Sequence, residues 1–167
     1  SLREAITAAN NTANGSLADL ITFSISASGV QTISLSSALP GITDAVIING
    51  ATEPGYAGSP LIAIDGGNSI GNMLTLGTGS SGSTLRGLNL QNFTGYGIYI
   101  NGSSNNTIAG NYLGTNAAGD APAGTSTNPI VINNGNNNLI GGSTAAERNV
   151  IAGNYYSGLL STGTSTG

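Results

Sequence analysis

The sequence predicts an all-β chain: a right-handed parallel β-helix, or β-solenoid, with a short N-terminal capping helix. Three observations carry this. Very short apolar alternations follow one another, each bounded by Gly, Asn, Ser or Pro. Segments recur at a spacing in the low twenties of residues. Finally, 27 glycines beside only 6% charged residues suit stacked strands and tight turns rather than a helical surface.

Residues 1–15 are the predicted cap. Leu2, Ala5, Ile6 and Ala9 stand at helical spacing behind a Ser1-x-x-Glu4 capping box, and the turn-rich Asn10 to Gly15 ends the helix. From residue 16 to 167 the periodicity changes to two-residue alternation. The strands read Ile21-x-Phe23-x-Ile25, Ile33-x-Leu35, Val46-x-Ile48, Ile62-x-Ile64, Leu74-x-Leu76, Leu88-x-Leu90, Ile98-x-Ile100 and Ile130-x-Ile132.

The repeats set the coil. Leu74-x-Leu76 precedes Ile98-x-Ile100 by 24 residues, and Thr84-Leu85-Arg86-Gly87 precedes Thr107-Ile108-Ala109-Gly110 by 23. Asn106 to Gly110 is echoed by Asn138 to Gly142, and Ile108-Ala109-Gly110-Asn111-Tyr112 recurs unchanged at 151–155. Residues 114–129 are read as a loop inserted into one coil. In such an arrangement inward Ile, Leu and Val stack on their own kind about 4.8 Å along the axis, and Asn at the corners tolerates the left-handed backbone and forms side-chain ladders. An antiparallel sandwich would need hairpin turns and gives no reason for a repeat at coil spacing.

Composition narrows the partners. Three arginines, no lysine, no histidine and a net charge of -4 disfavour nucleic acid, since Arg3, Arg86 and Arg148 are far apart and phosphate binding needs clustered cations. No apolar run approaches the ~20 residues of a membrane-spanning helix, so membrane insertion is not expected. With no cysteine, disulfides and thiolate metal sites are absent.

Ser1-Leu2-Arg3-Glu4-Ala5-Ile6, Leu39-Pro40-Gly41-Ile42-Thr43, Ile48-Asn49-Gly50, the stretch Glu53 to Ile62 and Ile64-Asp65-Gly66 are joined further on by Leu85-Arg86-Gly87-Leu88, Gly110 to Asn116 and Ile140 to Asn154. Together these resemble a family of bacterial and archaeal surface proteins whose N-terminal S-L-R-E-A motif leads into right-handed parallel β-helix repeats. The resemblance spans nearly the whole chain. It implies an extracellular or cell-surface β-helix, often part of a larger protein, and supplies no single chemistry. Asn49 stands where typical relatives carry Asp.

The carboxylates Glu4, Asp19, Asp44, Glu53, Asp65, Asp120 and Glu147 are dispersed, so no catalytic set is assigned and the chain reads as a non-enzyme. Asp44 and Asp65 lie 21 apart, near one coil, which offers neighbours on one face or simply two turn residues. Asp65, in Asp65-Gly66-Gly67-Asn68, is the candidate metal ligand, with calcium as the ion; otherwise no cofactor is expected. Arg86 and Arg148 are expected to satisfy carbonyls or to pair with Glu147 or Asp65. Tyr112 and Tyr155 share a place in the repeated pentapeptide and are candidates for one carbohydrate-binding face, against the alternative of outward residues stacking laterally. Asn10, Asn14, Asn92, Asn101 and Asn105 head Asn-x-Ser/Thr sequences.

At the far end, Asn154 to Leu160 opens another coil. Leu159 and Leu160 are therefore the expected assembly edge, where the solenoid continues or associates with a second copy. The sequence thus points to a structural or adhesive surface element, with a polysaccharide-binding or polysaccharide-cleaving β-helix as the second reading.

Overall fold

The computed structural model describes residues 1–124 and 127–167. In chain order the elements are α1 (Leu2–Asn11), β1 (Asp19–Thr22), β2 (Gln31–Ser34), β3 (Val46–Asn49), β4 (Ile62–Ile70), β5 (Leu74–Leu76), β6 (Thr84–Arg86), β7 (Leu88–Phe93), β8 (Ile98–Asn101), β9 (Thr107–Ala109), β10 (Tyr112–Leu113), β11 (Ile130–Asn133), β12 (Leu139–Ile140), β13 (Val150–Ile151) and β14 (Leu159–Thr162). Among the described residues the chain is all-β apart from this one short α-helix and two single-turn 3-10 segments, Gly50–Thr52 and Ala145–Glu147.

Helix α1 begins as its sequence dictates. The Glu4 N–H donates to the Ser1 hydroxyl at 3.4 Å while the Ser1 amino group donates to the Glu4 carboxylate at 2.7 Å, closing the capping box. Leu2, Ile6 and Ala9 are its buried stripe. The opposite flank is tied down by Arg3, whose guanidinium donates to the carbonyls of Ala38 and Ser37 and to the Ser37 hydroxyl.

The strands form three sheets in which every strand pairing is parallel. The first runs β1-β3-β6-β9-β12, the second β2-β4-β7-β10-β13, the third β5-β8-β11-β14. From β3 onward the chain visits the sheets in rotation. Both repeat spacings taken from the sequence are the observed registers, Thr84 opposite Thr107 and Leu74 opposite Ile98.

Alternation decides which side chains meet. Ile21, Ile48, Leu85, Ile108 and Ile140 form one inward row, Ile33, Ile64, Leu90, Leu113 and Ile151 a second, and Leu76, Ile100 and Ile132 a third. These rows share one apolar core with Met73, Phe93 and the buried stripe of α1. Like stacks on like along each row, so the core keeps one cross-section throughout.

One repeat is placed differently from the sequence expectation. Ile108 lies in the first sheet opposite Ile140, whereas Ile151 lies in the second opposite Leu113, so the identical pentapeptides occupy different corners. Their local geometry is nonetheless the same. Gly110 and Gly153 both have positive φ, at 67° and 72°. The following Asn111 and Asn154 each donate to a carbonyl of the preceding strand in the sheet, Leu85 and Leu113. Identity in sequence marks a shared turn, and the register comes from the inward rows.

Within the predicted loop of residues 114–129, the chain turns back on itself. Thr115 bridges antiparallel to Pro122, and the Asn116 N–H donates to the Ala121 carbonyl at 2.9 Å. Thr125 and Ser126 of that loop lie outside the described residues.

Candidate functional site

Asp65 sits where β4 is irregular: the register with β7 shifts between Asp65 and Ile70. Its Oδ1 accepts from the Gly67 N–H at 2.7 Å, and its two oxygens accept from the amides of Gln91 and Asn92 at 3.1 to 3.2 Å. The carboxylate is thus engaged by one backbone N–H and two side-chain amides. In this arrangement Asp65, the expected calcium ligand, anchors an irregular strand. Among the described residues no three of His, Cys, Asp and Glu cluster.

Asp44 does not neighbour Asp65. It precedes β3 in the first sheet, while Asp65 lies in the second between Ser34 and Gln91. Asp44 accepts from the Ala45 and Asn14 N–H groups and the Asn14 side-chain amide, and these backbone bonds hold its carboxyl below the usual carboxylate range. Glu53 is buried and takes the Ile25 N–H on both oxygens at 3.2 and 3.0 Å. Glu147 is held low by the Thr144 hydroxyl and N–H, with a smaller contribution from Arg86. The expected Arg86 and Arg148 pairings are not formed within 4.0 Å; among the described residues only the Ser1 amino group and Glu4 pair at that distance.

Tyr112 and Tyr155 do not share a face. Tyr112 lies in β10 opposite Asn89 and Val150; its hydroxyl is 3.4 Å from that of Ser59, and a Cβ on Gly119 would stand 2.9 Å from its ring. The returning loop therefore packs against it and leaves it half-buried. Tyr155, after β13, is 81% exposed and packs edge-on against Tyr156 with ring centroids 5.2 Å apart. It lines an open groove of about 450 Å³ with Asn68, Thr94, Gly124, Gly153 and Asn154, with Phe93 at the base.

No family model, curated protein or solved structure matches this chain.

The groove owes its shape to two glycines. A Cβ on Gly124 would stand 1.7 Å from the Gly153 carbonyl oxygen, and one on Gly153 2.4 Å from that of Gly114. No other residue fits where the loop meets the turn after β13. The same diversion leaves Asn154 Oδ1 without a donor. Its counterpart in the other pentapeptide, Asn111 Oδ1, accepts the Leu88 N–H at 3.0 Å, whereas behind Asn154 the chain has left for the loop. Asn68, Thr94 and Asn154 were not among the carbohydrate-binding candidates of the sequence. The available signal was the Tyr155-Tyr156 doublet in a stretch of small residues.

Leu159 and Leu160 lie in β14, which pairs with β11 on one side and carries no described strand on the other. They are 45% and 38% exposed, and Leu139 in β12 is 53% exposed.

Proposed function

We propose that this chain is a right-handed parallel β-helix acting as a non-catalytic structural or adhesive element of an extracellular surface, able to associate through the edge formed by β12, β13 and β14. Three parallel sheets visited in rotation support the helix, and the strong preference for right-handed crossovers gives its hand. The surface location rests on the S-L-R-E-A resemblance.

The observation that carries the assembly reading is β14: an exposed strand with a free hydrogen-bonding edge and two outward-facing or half-exposed leucines, which recruits another strand unless covered. The dispersed carboxylates support the non-catalytic reading, because Asp44, Glu53, Asp65 and Glu147 each hold backbone or amide groups in place.

The test is electron microscopy and sedimentation of the purified chain at rising concentration, beside Leu160→Asp. Concentration-dependent end-to-end particles that the substitution abolishes are expected. A chain that remains monomeric at every concentration overturns self-association by this edge.

A further inference from the structure

Within that surface role, the groove beside Tyr155 offers a specific adhesive chemistry, and we infer that it binds a neutral polysaccharide by stacking a sugar ring on Tyr155. Tyr155 is the most exposed aromatic side chain, and it is braced by Tyr156 at 5.2 Å, so its ring is presented rather than collapsed onto the surface. Exposed aromatics in such a pairing supply a flat apolar face with little conformational freedom to lose, the arrangement that receives the C–H face of a pyranose.

The other lining groups select the ligand. Asn68, Asn154 and Thr94 are uncharged groups that donate and accept hydrogen bonds, matching hydroxyls. Among the described residues no Arg, Lys, Asp or Glu lines the groove, and between residues 121 and 167 the charged residues of the sequence are Glu147 and Arg148 alone. A uronate or sulfated chain would find no cation there to offset its desolvation. The glycines at 124 and 153 keep the floor at backbone level, and the groove is open rather than enclosed, which suits a chain passing across it.

This rests on the surface-element reading, and the experiment separates the two. Wild-type protein, Tyr155→Ala, Tyr156→Ala and Tyr112→Ala are tested for retention on cellulose, chitin and mannan, with polygalacturonate as the anionic comparison, and the same samples are sedimented to report association. Retention on a neutral glycan is expected, reduced about tenfold by Tyr155→Ala at a wild-type melting temperature, and left unchanged by Tyr112→Ala at a temperature where that variant is folded. The inference is overturned if no neutral glycan is retained, if Tyr155→Ala binds as the wild type does, or if polygalacturonate is retained best. Loss of glycan binding with association intact removes the groove alone; loss of association with glycan binding intact removes the β14 edge alone.

Discussion

Asn106 and Asn138 stand 32 residues apart and are joined twice: the Asn106 N–H and side-chain amide both donate to Asn138 Oδ1, at 3.0 and 2.8 Å. Asn106 Oδ1 in turn accepts the Ser83 N–H at 3.0 Å, and the Ser83 hydroxyl accepts the Val46 N–H at 3.0 Å. A column of side-chain oxygens therefore receives the N–H groups just ahead of the strands of the first sheet. Asn111 and Asn149 do the same ahead of the second.

Breaking this column is expected to be expensive. Asn106→Leu leaves the Ser83 N–H without its acceptor in a fully buried position, at a cost of about 2–4 kcal/mol. Urea unfolding checks it, and a midpoint equal to wild type would refute the column's role.

Gly50 and Gly87 interlock. A Cβ on Gly50 would meet the Gly87 carbonyl oxygen at 2.2 Å, and one on Gly87 the Ala51 nitrogen at 2.6 Å. Gly50→Ala is expected to destabilise by more than about 2 kcal/mol, because only backbone can move to relieve it. Gly41→Ala, with nothing within 4 Å and no positive φ, is expected to change stability by no more than about 0.5 kcal/mol. Thermal melting of the two variants separates the steric account from a general glycine effect.

The Arg3 fork reaches two carbonyls and a hydroxyl in one plane of donors. A lysine cannot reproduce that geometry, so Arg3→Lys is expected to cost about 1 kcal/mol and to loosen α1 selectively. Amide exchange over residues 2–11 should quicken while the core strands keep their protection; a uniform change would point instead to global destabilisation.

Acid should weaken the attachment of the N-terminal segment. The Asp44 carboxyl is depressed by the N–H groups of Ala45 and Asn14, so its stabilisation is present above the unfolded-state value and is lost as pH falls through the lower folded-state value. Glu4 and Glu147 are depressed as well and add in the same direction. Stability is expected to be level near neutrality and to fall below about pH 4, with a shallower fall in Asp44→Asn. Melting curves from pH 7 to pH 2 check this, and identical slopes for the two proteins would rule out Asp44 as a contributor.

Much of the architecture was legible because inward rows repeat their residue type: Leu74 with Ile98 and Thr84 with Thr107 are true partners. The pentapeptide at 108–112 and 151–155 misled because it encodes a Gly-Asn turn usable at either corner, and nothing local distinguishes the corners. The site was hidden for a related reason. Tyr112 and Tyr155 look alike in sequence, and only the returning loop, with Gly119 against one ring, decides which is half-buried. The part Asp65 plays in an irregular strand was hidden too, because the register shift beside it has no sequence signature beyond its glycines.

The Asn column spans stretches of 23 residues between Ser83 and Asn106 and of 32 between Asn106 and Asn138, with the same bond at each step. Extra chain is thus set aside laterally and does not enter the axial spacing of about 4.8 Å. In the proposed β-helix this makes a ruler, whose length counts rungs and ignores how much polypeptide each rung carries. Lateral loops can then be lengthened or exchanged without moving what lies at either end, so reach and surface decoration can vary independently.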